Sequence, residues 1–90
     1  MDRRTTAAGG LTRLRPAVLD GLLRHGLTPG PDDSAASLRE RLNDLYLQDV
    51  RRLKARQRSG EIARRDYAGH VQSLRQAYPL LSLPLELWVE

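Results

Sequence analysis

Two stretches of helical periodicity, parted only by Ser59-Gly60-Glu61, constrain this chain more than any other feature. Before the break, Leu38, Leu42, Leu45, Tyr46, Val50 and Leu53 recur at the spacing of one helix face. After it, Tyr67, Val71, Leu74 and Tyr78 repeat at three- and four-residue intervals. So short a link between two amphipathic helices makes them antiparallel neighbours. The expected fold is therefore all-α: a three-helix domain with a long antiparallel helical hairpin over residues 34–77.

The boundaries follow from local signals. Asp33 or Ser34 can cap the second helix, and Ser37-Leu-Arg-Glu40 has the form of a capping box, which predicts a helix from about Ser34 to Arg58. Gly60 is the expected residue just past its end. A third helix is expected over about Ala63–Ala77, ended by Pro79. Leu47 lies off the stripe of the second helix, and Asp49 lies at its edge, where pairing with Arg52 one turn on is the simple expectation. His70 is expected at the edge of the core beside the third helix.

Upstream, a first helix is expected within Thr12–His25. Pro16 fits only its first turn, and Val18, Leu19, Leu22 and Leu23 share a face. Gly26 suits the position after its end, with Leu27 making the apolar contact that follows and His25 in the last turn as a capping side chain. Thr28-Pro-Gly-Pro-Asp-Asp33 breaks the helical pattern. Residues 1–10 read as a flexible N-terminal arm, leaving residues 11–90 as one helical domain.

The last twelve residues before Glu90, from Tyr78 to Val89, are an apolar tail with two prolines. A segment this apolar does not hang in water. It either folds back to close the core, which the scarcity of large apolar residues elsewhere favours, or docks on another chain. Leu81, Leu83, Leu85, Leu87 and Trp88 are its candidate anchors, with Trp88 foremost.

Chemistry-bearing motifs are missing. The chain has no Cys, its two His residues stand far apart, and no glycine-rich phosphate loop or Gly-x-Ser-x-Gly occurs. The expectation is a non-enzymatic protein with no cofactor, no metal site and no small-molecule substrate. No apolar run approaches the ~20 residues of a membrane span, and the charged N-terminus precedes no apolar leader segment. A cytoplasmic protein without a membrane partner is the expected setting.

The charge pattern carries one electrostatic signal. The chain carries 15 Lys and Arg against 11 Asp and Glu, for a net +4. Between Arg51 and Arg65 stand Arg51, Arg52, Lys54, Arg56, Arg58, Arg64 and Arg65 against Glu61 alone, so this run is +7 − 1 = +6. A basic knob at the hairpin turn attracts acidic protein surfaces or phosphates.

The segment 53–74 resembles the SHOCT family of short helical hairpins. Leu53, Gly60, Ile62, Asp66, Tyr67 and Leu74 stand where that pattern has its helix Leu, its Gly turn followed by Ile, and its acidic–aromatic pair. Ala63 departs from it, since the family has Thr or Ser there as a helix cap. The resemblance implies a hairpin used for oligomerisation or partner binding, with no catalytic residues. Together these features point to a protein–protein interaction module or small regulatory subunit, whose partner includes a second copy of itself among the candidates. The alternative is a small nucleic-acid-associated protein holding phosphates through Arg51–Arg65.

Overall fold

A computed structural model describes residues 14–90. The residues expected to form the N-terminal arm, together with the start of the first predicted helix, lie outside the described residues. The fold is all-α. Helix α1 spans Pro16–Arg24, α2 spans Ala35–Arg58 and α3 spans Tyr67–Gln76. Three short 3-10 turns complete the order: Arg64–Asp66 before α3, then Pro79–Ser82 and Leu85–Leu87 in the tail.

Local chemistry sets each boundary. Pro16 occupies the first turn of α1, where its missing N–H costs nothing. Both α1 and α2 end on a glycine in the left-handed region, Gly26 at φ 77° and Gly60 at φ 87°. In each case the two following amides fold back on the last turn. Gly26 N–H donates to Leu23 O and Leu27 N–H to Leu22 O, while Gly60 N–H donates to Gln57 O and Glu61 N–H to Arg56 O. Replacing Gly60 by Ala is expected to cost about 1 kcal/mol, because an L side chain resists this conformation. Amide hydrogen exchange should show the loss as faster exchange at the end of α2.

The cap of α2 differs from the expected one. Ser34 is the N-cap, and its hydroxyl accepts from Ser37 N–H while Ser37 Oγ accepts from Ser34 N–H. Glu40 takes no part, because the helix begins one turn earlier than a Ser37 cap requires. Asp33 buttresses this end. Its carboxylate accepts from Gly30 N–H at 2.8 Å, from Ser37 Oγ at 3.1 Å and from Arg41 at 2.9 Å. These donors, the backbone amide of Gly30 foremost, hold its carboxyl below the ordinary Asp value.

The third helix starts later than the expected Ala63. Ala63 offers no side-chain cap, and Arg64–Asp66 tighten into a 3-10 turn ahead of Tyr67. No residue of α3 is fully buried; Tyr67, Val71 and Leu74 are half-buried.

The core sits at one end of the molecule. Val18, Leu22, Leu27, Leu38, Leu42, Tyr78, Leu80 and Trp88 form one buried cluster, with Leu14, Leu45, Tyr46, Leu74, Leu81, Leu83 and Leu85 packed against it. We call this the head. Leu19 and Leu23 are 37% and 48% exposed, so only the Val18–Leu22 edge of α1 is buried and the four-residue face expected there is too broad. The tail closes the head. Trp88 is 0% exposed, Leu80 is 8% exposed, and an ideal Cβ built on Gly21 would lie 2.9 Å from Leu80 Cδ1. Leu14 and Val89 form a single antiparallel bridge, with Arg15 N–H donating to Trp88 O at 3.0 Å and Arg15 Nε to Val89 O at 3.0 Å. Arg39 Nη2 donates to Leu81 O at 3.2 Å and ties the tail to α2 as well.

Beyond Tyr46 the long helix leaves the head. The twelve residues that follow Tyr46, up to Arg58, extend about 18 Å at about 1.5 Å each, and α3 runs back along them. In this arm Leu53 and Ile62 are buried outside the main cluster.

Candidate interaction surface

The base of the arm is locked to the head through Tyr78. Its hydroxyl donates to Asp49 Oδ2 at 2.5 Å, and the other carboxylate oxygen of Asp49 accepts from Arg52 Nη1 at 2.8 Å. The expected Asp49–Arg52 pair is therefore present, with a cross-element partner added. The His25 ring stacks on Tyr78 at 4.2 Å between centroids, and Tyr46 meets Tyr78 edge-on at 5.4 Å. His25 Nε2 lies 2.8 Å from Ala77 O, so its N–H donates to the carbonyl just past the end of α3. The capping role expected of His25 thus serves α3, not its own helix.

Burial, reinforced by the bond to Asp49, pushes the Tyr78 hydroxyl up to about 12. The native state holds this proton more tightly than the unfolded chain, whose Tyr ionises near 10. Full stability is therefore present below pH ~10 and falls as pH rises from there toward about 12. Tyr78→Phe is expected to flatten that alkaline loss in a series of thermal melts.

All seven residues of the predicted basic knob are exposed: Arg51, Arg52, Lys54, Arg56, Arg58, Arg64 and Arg65. They are not equivalent. Arg52 pairs with Asp49 at 2.8 Å and Arg56 with Glu61 at 3.2 Å. Both line a groove of about 460 Å³ between α2 and α3, floored by Leu53 and Leu74. Lys54 Nζ lies 5.0 Å from the centroid of the Tyr67 ring, a cation–π contact. Among the described residues, Arg51, Lys54, Arg58, Arg64 and Arg65 have no carboxylate partner.

The helix phase sorts the cations further. At about 100° per residue, Leu47, Arg51, Lys54 and Arg58 fall within one stripe about 60° wide, turned about 100–160° away from Leu53. This stripe is the outer face of α2, exposed along its length, with Leu47 39% exposed. Arg64 and Arg65 add charge from the turn before α3. The arm therefore presents a row of cations with one apolar residue at its base.

The tail residues divide differently. Trp88 is in the core, Leu81, Leu83 and Leu85 are half-buried against it, and Leu87 is 40% exposed. The tail contributes to the head, and only Leu87 among its candidate anchors presents a large exposed area. His70, expected at the core edge, is exposed and flanks the arm groove beside Ser73. It stands on α3, of which no residue is fully buried. Among the described residues no group of three His, Cys, Asp or Glu is placed to hold a metal ion. No helix among them is long and apolar enough to cross a membrane.

Sequence reasoning did not anticipate the lock of Asp49, Tyr78 and His25, whose members lie far apart in the chain. In the comparisons with known proteins, the chain matches no family model, no curated protein and no solved structure.

Proposed function

We propose that the chain is a non-enzymatic protein–protein interaction module, a small adaptor or regulatory subunit of the cytoplasm, that binds through the outer face of its arm. The observation that carries this reading is the row Leu47, Arg51, Lys54 and Arg58, exposed on a helix that projects from a closed head. Arg51 and Arg58 are the side chains best suited to a partner's carboxylates, because a guanidinium binds such a group through two parallel donors. The apolar tail, the other surface the sequence offers, is largely used up in the core.

The phosphates of a nucleic acid would also be drawn to the five cations that have no carboxylate partner among the described residues. Against that reading, no Tyr or Trp ring is fully exposed for a base to stack on. Tyr78 and Trp88 are buried, Tyr46 is half-buried, and Tyr67 is half-buried beneath Lys54.

Affinity capture from the native cell separates the two. Wild type and the triple variant Arg51→Glu, Lys54→Glu, Arg58→Glu are compared with and without nuclease. The expected result is a protein recovered by wild type, retained after nuclease and lost with the variant. Recovery that disappears with nuclease would assign the face to nucleic acid. Equal recovery by both chains would remove the face from the account.

A further inference from the structure

The outer face of α2 has a pattern that goes beyond a row of cations. Continued toward the N-terminus, the same stripe carries Ala36, Glu40 and Asn43, with Asp44 at its edge, and all four are exposed. Leu47 stands midway between Ala36 and Arg58. Every acidic residue of this face lies before Leu47 and every basic one after it.

Within one helix this arrangement is unfavourable. Glu40 and Asp44 are like charges four residues apart, as are Lys54 and Arg58, and Arg51 and Lys54 are like charges three apart. A solvated helix gains by alternating signs at that spacing. The helix dipole accounts for Arg58, in the last turn, but its influence has faded at Asp44 and Arg51. Among the described residues, neither Glu40 nor Asp44 has a basic partner within its own chain.

We infer that the acidic partner of the arm is a second copy of this chain, paired antiparallel along α2 about a two-fold axis at Leu47. The inference rests on the reading given above and names its partner. Glu40 lies seven residues before Leu47 and Lys54 seven after it, so antiparallel pairing sets each Glu40 against the partner's Lys54. Arg58 and Ala36, each eleven residues from Leu47, also meet, which brings a second cation within reach of Glu40. Asp44 falls beside the partner's Arg51 on the same flank of the seam. The contact is its own complement, as a two-fold dimer requires. It also relieves the like-charge neighbours in both chains at once.

A shallow groove beside the N-terminal half of this face gives the long basic side chains a place to lie. It is lined by Ala36, Arg39, Glu40, Asn43, Leu81 and Leu85 and measures about 360 Å³. The aliphatic stem of the partner's Arg58 can rest on Leu81 and Leu85 while its head reaches Glu40. The short side chain of Ala36 leaves room for that approach.

With one Leu pair at its centre and charges around it, this is a small, polar interface. It belongs with transient contacts below about 1,200 Å² and not with obligate dimers. A dissociation constant on the order of 0.1 mM at low salt is expected.

Sedimentation of the full chain tests the inference, run up to about 1 mM in about 10 mM salt, where the Debye length is about 30 Å, and again in about 1 M salt, where it is about 3 Å. Wild type should dimerise at low salt and revert to monomer at high salt. Glu40→Lys and Lys54→Glu should each lose at least tenfold in association when alone. An equimolar mixture of the two variants should associate again, because every facing pair is then of opposite sign. All these positions are exposed, and circular dichroism of each variant confirms that its fold is kept. A monomeric wild type at low salt, or variants that associate alone as well as mixed, would overturn the inference. Such a result leaves the proposed binding face standing, since capture of a different protein by the arm decides that separately.

Discussion

Trp88→Ala is expected to remove about half of the protein's stability. The side chain is 0% exposed, and it joins the tail to the cluster formed by α1 and the first half of α2. Removing a buried Trp costs about 3–5 kcal/mol through lost transfer energy and the cavity left behind. A domain of this size has roughly 5–10 kcal/mol in total, at about 0.1 kcal/mol per residue. Trp88→Phe is expected to cost less than half as much. It keeps a ring in the site and removes the indole N–H, which is buried and has no hydrogen-bond acceptor among the described residues. Urea melts followed by far-ultraviolet circular dichroism give both values. Removing residues 79–90 altogether is expected to abolish the cooperative transition, because Leu80 and the bridge from Leu14 to Val89 are lost as well.

The second large effect separates head from arm. Leu42→Ala is expected to cost about 2–5 kcal/mol and to destabilise the whole head, since Leu42 is 0% exposed within the main cluster. Leu53→Ala removes a side chain of the same size, 8% exposed and outside that cluster. Its surroundings are the two arm helices alone, which can close partly over the gap, so its cost is expected at the low end of the same range. The effects should also differ in place. Hydrogen exchange in Leu42→Ala should quicken through α1, α2 and the tail together. In Leu53→Ala it should quicken in α3 and the end of α2 while the head amides keep their rates.

These two substitutions also mark what the sequence made legible. The hairpin, its turn at Gly60 and the stripe through Leu38, Leu42 and Leu53 follow from periodicity and from one residue that tolerates a positive φ. Both glycine helix ends are equally local and equally readable. Other features needed the third dimension. Leu19 and Leu23 fit the apolar pattern of α1 as well as Val18 and Leu22 do, and only the one-sided placement of α1 on the head leaves them exposed. His25 fits a cap for its own helix by position, yet its ring reaches Ala77, 52 residues away. The delayed start of α3 follows from the missing cap at Ala63, a deficit visible in sequence whose structural answer, a 3-10 turn, was not.

The proposed binding face was half legible. Net charge located the cations of residues 51–65, but not their division into paired and free. Arg52 and Arg56 are neutralised by Asp49 and Glu61, while Arg51, Lys54 and Arg58 share the opposite side of α2. The acidic half of that face was present in the sequence as Glu40 and Asp44. A window centred on the basic run passes over it, and helix phase is what joins the two halves.

With the tail part of the core, the arm is the surface proposed for partners. Residue-resolved amide hydrogen exchange of the free, full-length chain tests this most directly. The amide of Arg15 is the reporter, because its acceptor is Trp88 O and it is protected only while the tail is docked. The account predicts that Arg15, Leu83 and Trp88 exchange in the slow class with the amides of Leu22 and Leu42. Exchange of these three amides at free-chain rates, with α2 still protected, would contradict it.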